Sequence, residues 1–230
     1  MAENKGVAVA LDTSETPMRL AVRFADGKIR SVRKAGLKQE NYLIDVINKT
    51  LAYGGASLTD VGQVCVARGP GRFTGIRIGL TFASVLKAIS GSEVCAATVF
   101  EMLVHEMRKN AACKKWLAAN EGGLIACVIH AFREEYFCQL FDARGVAVAA
   151  PCWLEKGRLG EYLTSFKKPL YCCGWGEKHT PLSVIPAGYE VNLKVVAVQA
   201  KTLFEAAAPC HAPVVEPLYL KPAKFELPAK

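Results

Sequence analysis

Hydrophobic and polar positions change period several times along the 230-residue chain. Three short runs open it, at residues 6–11, 19–25 and 28–33. The second alternates, with Leu20, Val22 and Phe24 on one face and Arg19, Ala21 and Arg23 on the other, which is the period of a half-buried strand. Asp26-Gly27, between the second and third runs, predicts a hairpin. Over 39–53 the period becomes helical, with Tyr42, Leu43, Val46, Ile47 and Leu51 on one face and Gly54-Gly55 as the stop. A buried strand (63–67), a glycine-rich loop, a helix (about 75–89), a short strand (94–97) and another helix (about 99–117) follow.

The second half repeats this order without repeating the sequence. Strands are predicted at 124–130, 136–142 and 146–150, the last two joined by Ala143-Arg144-Gly145. A helix (155–166), a strand (169–173) and a helix (198–208) come next, and 174–196 has no clear period. A β-rich then alternating order, used twice, predicts two related α/β lobes, each with a mixed sheet, at 1–117 and 118–230. A doubly wound nucleotide-binding fold would alternate from its first strand. Three consecutive strands at the start of each half instead fit tandem ribonuclease-H-like lobes, the arrangement of the actin, Hsp70 and sugar-kinase ATPase superfamily.

Composition narrows the picture less. A 51% hydrophobic chain can build real cores and is not a disordered one. The net charge of +8 comes from 29 Lys and Arg against 21 Asp and Glu, and it is spread along the chain without a basic tail. It suits an anionic partner and an ordinary basic surface equally. Nine cysteines sit mostly in apolar runs, such as Cys65, Cys127 and Cys138, with Cys172 and Cys173 adjacent. There is no CxxC and no His at metal-ligand spacing from a Cys, so core thiols in a reducing compartment are expected, with no metal site. The first residues lack a signal-peptide layout and no apolar stretch approaches the roughly 20 residues of a membrane span, so a cytoplasmic, membrane-free protein is expected.

Chemistry concentrates in Val64–Leu86, VCVARGPGRFTGIRIGLTFASVL. A strand enters a loop holding Gly69, Pro70 and Gly71, and a helix leaves near Gly75 with Thr74 as its expected N-cap. Free amides there, with Arg68, Arg72 and Arg77 nearby, would suit an anion. The loop fits neither the Walker pattern, lacking its lysine, nor the dinucleotide fingerprint, because Thr74 stands at the third glycine position. The other reading is a tight strand-to-helix turn whose glycines allow close packing. Asp12-Thr13-Ser14, after the first strand, sits where ATPases of this superfamily place a phosphate turn. Neither that turn nor its counterpart His130–Glu135 contains glycine, which speaks against an ATPase. A nuclease reading needs clustered carboxylates, and Glu40 and Asp45 read as solvated helix residues.

ALDTSETPMRLAV, followed about fifty residues later by ARGPGRFTGIRIGLTFASVLKA, closely resembles the bacterial TsaB (YeaZ) family, and Pro217-Leu218-Tyr219-Leu220-Lys221 resembles its closing segment. The resemblance implies a non-catalytic subunit of the machinery that makes N6-threonylcarbamoyladenosine in tRNA. Such a subunit dimerises with the catalytic TsaD and assembles with the ATPase TsaE. The His-x-x-x-His metal motif of TsaD is absent: Lys109 follows His105 and Glu134 follows His130 at that spacing. No catalytic residue, metal or cofactor is implied, apart from weak or vestigial nucleotide contact through Asp12, Thr13, Ser14, Arg68, Gly69, Gly71 and Thr74. Partner contacts are implied on the first two helices, through Tyr42, Leu43, Val46, Ile76, Leu80 and Ala83. Homodimer and heterodimer both remain open, with tRNA as an auxiliary contact within the complex. The chain departs from the family pattern at Lys38-Gln39-Glu40, Arg72 and His130. The competing readings are a small-molecule kinase or ATPase of the same fold, and a direct RNA-binding module.

Overall fold

A computed structural model describes residues 6–174, 185–192, 198–211 and 214–221. The first sheet is ordered β11-β5-β4-β1-β2-β3. Its strands are β1 (Val7–Asp12), β2 (Met18–Arg23), β3 (Ile29–Lys34), β4 (Val61–Ala67), β5 (Glu93–Ala97) and β11 (Ala208–Pro209). β2 runs antiparallel to β1 and β3, whereas β1, β4 and β5 are parallel. The second sheet is ordered β10-β9-β6-β7-β8, from β6 (Leu124–Phe132), β7 (Glu135–Phe141), β8 (Cys152–Glu155), β9 (Leu170–Gly174) and β10 (Glu190–Asn192). Here too an antiparallel meander of three strands is followed by parallel additions beside its first strand. The same order occurs twice, so both lobes are ribonuclease-H-like and the doubly wound alternative is excluded.

Helices α1 (Leu43–Ala52) and α2 (Phe73–Ser90) pack on the first sheet. Leu43, Ile47 and Leu51 of α1 and Ile76, Leu80, Ala83 and Leu86 of α2 share one core with Val9, Leu11, Leu20, Val22, Val64 and Val66. α2 is long and apolar enough to cross a membrane by length and composition alone. Its buried face and its polar positions at Arg77 and Lys87 are those of a core helix. In the second lobe, α5 (Lys156–Ser165) contributes Leu159 and Leu163 to a core with Ala126, Val128, Tyr136, Leu140 and Leu170.

Several predicted elements differ. The helix expected at 99–117 is two, α3 (Val99–Lys109) and α4 (Ala111–Ala119), because the Asn110 side chain caps the second by accepting from the Cys113 amide at 3.1 Å. The strand expected at 146–150 is replaced by a single bridge between Phe141 and Ala147. The Val146 amide is spent on the Asp142 carboxylate and Pro151 precedes the true strand β8. The helix expected at 198–208 shrinks to a 3-10 turn at Ala200–Thr202 and α6 (Leu203–Ala206). Beyond it the chain extends and pairs β11 with β5.

That return changes the division of the chain. One compact unit comprises Met1–Met102 with Gln199–Leu218, and the other Leu103–Val198 with Tyr219–Lys230, rather than a single cut after 117. The returning segment packs on β1 and β2. It buries the face of β2 that alternation assigned to solvent, and only Arg23 stays partly exposed on that strand. All nine cysteines are free thiols and seven are buried. The parallel neighbours β6 and β9 set the Cys127 and Cys173 sulfurs 3.5 Å apart, and burial pushes the Cys127 thiol well above its ordinary value.

Candidate functional site

The glycine-rich signature and the β1–β2 turn come together in the first lobe. Thr13 and Ser14 are fully buried, and α2 lies directly against their backbone. The Arg72 amide donates to the Ser14 carbonyl at 2.7 Å, and the Thr13 hydroxyl donates to the Gly75 carbonyl at 2.7 Å. A Cβ on Gly71 would stand 2.5 Å from the Ser14 carbonyl oxygen, and one on Gly79 would stand 2.5 Å from Thr13 Oγ1. On Gly75 it would collide harder still, with the Thr13 carbonyl oxygen. Gly71, Gly75 and Gly79 therefore let a helix touch a strand turn, and side chains there are excluded by space. Gly69 differs, because its φ of +108° already disfavours any side chain. The loop is pinned on both flanks: Val99 donates to Gly69 and Leu218 donates to Arg68 through backbone bonds of 2.8 and 2.7 Å.

Polar groups in the turn are spent on one another. Asp12 is fully buried and accepts from Arg19 Nη1 at 2.7 Å on one oxygen. Its other oxygen accepts from the Ser14 amide at 3.0 Å and the Ser14 hydroxyl at 2.6 Å. Asp12, Thr13 and Ser14, expected to reach an anion, thus face inward and are already hydrogen-bonded. Arg68 and Gly69 are tied into the backbone ladder. Thr74 is exposed inside the first turn of α2, and Arg72 occupies the N-cap without a side-chain cap bond. The helix starts two residues earlier than expected, because Arg72 is held in extended conformation by its bond to Ser14.

Three residues that periodicity passed over complete the arrangement. Arg19 reads as a solvent-facing strand residue, yet it neutralises Asp12. Gln39, a departure from the family pattern, is buried and donates from Nε2 to the Glu15 carbonyl at 2.7 Å, tying the start of the first helical segment to the turn. Arg72, another departure, donates from Nη1 to Thr16 Oγ1 at 2.6 Å and clamps the same turn. The third departure, His130, joins through Nε2 to the Arg133 carbonyl at 2.7 Å and closes the second lobe's hairpin. Among the described residues no cluster of three or more His, Cys, Asp or Glu could hold a metal.

Of the six expected partner contacts, Leu43, Ile76, Leu80 and Ala83 are core residues of this chain, and Tyr42 and Val46 are half-buried against that core. The apolar faces left open lie beside them: Ile44 on α1, and Phe73, Val85 and Ile89 on α2. Val85 and Ile89 are one turn apart and 48% and 60% exposed, with the partly buried Ile78 two turns before Val85. The sequence made α2 apolar nearly all round, and its period could not say which side the sheet would take.

Burial beside Asp12 raises the Glu15 carboxyl to about 7, against the attraction of Arg19 and Arg72. Folding therefore favours its protonated form. The contribution is fully present below about pH 4.5 and is lost as pH rises through about 7. Glu15→Gln is expected to stabilise the protein by about 2 kcal/mol at pH 8, and the gain should vanish near pH 4.5. Urea unfolding across that range checks it; a pH-independent difference would contradict it.

Both lobes are ribonuclease-H-like, and the β1–β2 turn of the first is hydrogen-bonded within itself. The TsaD family model, described as tRNA N6-adenosine threonylcarbamoyltransferase, matches residues 33–118. The Escherichia coli (strain K12) tRNA threonylcarbamoyladenosine biosynthesis protein TsaB is 29% identical over 110 residues, 46% of each chain. Its Haemophilus influenzae counterpart is 29% identical over 104 residues, 43% of this chain and 44% of the relative. The aligned region spans less than half the length of these curated relatives. In fold, YeaZ from Pseudomonas aeruginosa superposes with a TM-score of 0.69 at 18% identity, covering 93% of this chain and 99% of that one. A second Pseudomonas aeruginosa structure, of an uncharacterised protein with similarity to peptidase YEAZ, gives 0.72 at 18% identity over 94% and 99%. The chain is thus similar in sequence to TsaB over less than half its length and similar in fold to YeaZ.

Proposed function

We propose that the chain is a non-catalytic partner subunit in the formation of N6-threonylcarbamoyladenosine in tRNA, working in the cytoplasm as a heterodimer with TsaD and in a larger assembly with TsaE. The observation that carries this reading is the β1–β2 turn. Asp12, Thr13 and Ser14 are consumed by Arg19, Gly75 and each other, so the turn supports packing of α2 rather than phosphate chemistry. A self-satisfied turn favours this reading over a small-molecule kinase or ATPase, and no nucleotide of its own enters the proposal. What remains available on α2 is the apolar stripe Ile78–Val85–Ile89, with Phe73 held under the Arg77 guanidinium at 4.1 Å. In this reading a partner helix covers the stripe, and a second copy of the chain covers it when TsaD is missing.

Cells depleted of TsaB and supplied with this chain test the proposal through their modified nucleosides. Restored threonylcarbamoyladenosine is expected from the native chain, and a loss of roughly tenfold or more from Val85→Glu/Ile89→Glu, since two charges would be buried at the contact. The exposed positions leave folding intact, which circular dichroism checks. No restoration by the native chain, when its own TsaD is supplied with it, would contradict the reading.

A further inference from the structure

The outer edge of the first sheet carries the most uneven charge in the described lobe. Between residues 28 and 38 the chain has Lys28, Arg30, Arg33, Lys34 and Lys38, and no acidic residue. β3 is the last strand of its sheet, and its side chains are exposed except for a half-buried Val32. Its register fixes which face each uses. Arg30, Val32 and Lys34 stand opposite Val22, Leu20 and Met18, on the side of the sheet that α1 covers, while Arg33 stands opposite Arg19 on the other. Arg30 and Lys34 are therefore on one face, roughly 13 Å apart along the strand. Lys28 is paired with Asp26 at 2.8 Å. No ion pair engages Arg30, Arg33 or Lys34 among the described residues.

Beside this line is a surface hollow whose walls include Phe24, Ser31, Tyr53 and Gly54. The Arg30 guanidinium lies over the Tyr53 ring, 3.7 Å from its centroid, and Tyr53 is 71% exposed. Charges on an edge strand guard it against pairing with another sheet, and that accounts for Arg33 and Lys34. It does not account for a guanidinium held over an exposed aromatic ring at a concave surface. Cations following a groove, with a flat stacking surface beside them, are the means by which proteins hold unpaired nucleic acid: the cations meet phosphates and the planes take bases.

We propose that this edge, with Arg30, Lys34 and Tyr53 at its centre, binds an unpaired segment of RNA, the phosphates lying along β3 and a base stacking on the Arg30–Tyr53 platform. The choice of RNA over other polyanions rests on the function proposed above; the location and the stacking rest on the geometry alone.

The test uses the full chain and three fluorescent probes: a 12-nucleotide single-stranded RNA, the same sequence as a duplex, and heparin as a plain polyanion. Anisotropy across a salt series is expected to show the single strand bound more tightly than the duplex. Arg30→Ala/Lys34→Ala should weaken it roughly tenfold or more at low salt and flatten the salt slope by about 1.4, the share of two phosphate contacts. Arg30→Lys should keep the slope while losing the preference for the single strand, because an ammonium does not stack as a guanidinium does. Tyr53→Ala should lose the same preference. Unchanged affinity in the double variant, or equal binding of all three probes unaffected by Tyr53→Ala, would overturn the proposal. TsaD capture, measured on the same variants, separates the two readings. Retained capture with lost RNA binding is expected, whereas RNA binding without any TsaD capture by the native chain would refute the subunit assignment and leave this surface standing.

Discussion

Gly75→Ala is expected to destabilise the first lobe by about 3 kcal/mol or more, the upper range of overpacking effects. The new methyl group would run into the Thr13 carbonyl oxygen, a backbone atom fixed by β1 and by its neighbour Ser14. Relief requires α2 to lift from the turn, which would open the bond from Thr13 Oγ1 to Gly75 and loosen Ile76, Leu80 and Ala83 in the core. Gly79→Ala makes an informative companion, because its first obstacle is the Thr13 hydroxyl rather than backbone. Adding Thr13→Ala should recover part of the loss at Gly79 and none of it at Gly75. Gly157→Ala, in α5 with open space around it, should instead gain about 0.5 kcal/mol from helix propensity and a less flexible unfolded chain. Urea midpoints for these variants measure the series. A Gly75→Ala protein as stable as the parent would refute the packing role assigned to the signature.

Arg19→Ala should have an effect of the same order, about 3–5 kcal/mol, since it leaves the Asp12 carboxylate buried without its cation. Asp12 is fully buried and its other contacts, from Ser14, are neutral donors. Removing both charges with side chains of similar volume, Asp12→Leu/Arg19→Met, should cost far less than Arg19→Ala alone, because the desolvation of both ions disappears with their attraction. A double-mutant cycle in chemical denaturation reads the coupling. Additive losses would mean that the pair does not hold the turn.

Much of the architecture was legible because the period changes where the physics does. The first meander, the hairpin at Asp26-Gly27 and the helical stripe from Leu43 to Leu51 all follow from local pattern and turn chemistry. The misses share a cause. Arg19 looks solvent-facing until residues 199–206 fold back over β1 and β2, and no local window contains that return. Periodicity likewise leaves the open side of α2 undecided: Ile76 and Ala83 are as apolar as Val85 and Ile89, and only the sheet decides which pair is buried. The signature carries two readings, an anion loop and a tight packing turn, because glycines and arginines at a helix start are ingredients of both. Its true content is spatial, a set of absent side chains that admit a neighbouring carbonyl, and sequence alone does not reveal what stands opposite an absence.

The proposed function requires this chain to pair with TsaD through the exposed face of α2. The most direct measurement mixes the purified chain with TsaD from the same organism and reads mass by light scattering on a sizing column. A one-to-one complex that forms with the native chain and fails with Val85→Glu/Ile89→Glu is the predicted result. Separate elution of the two native proteins, or a complex indifferent to both substitutions, would contradict it.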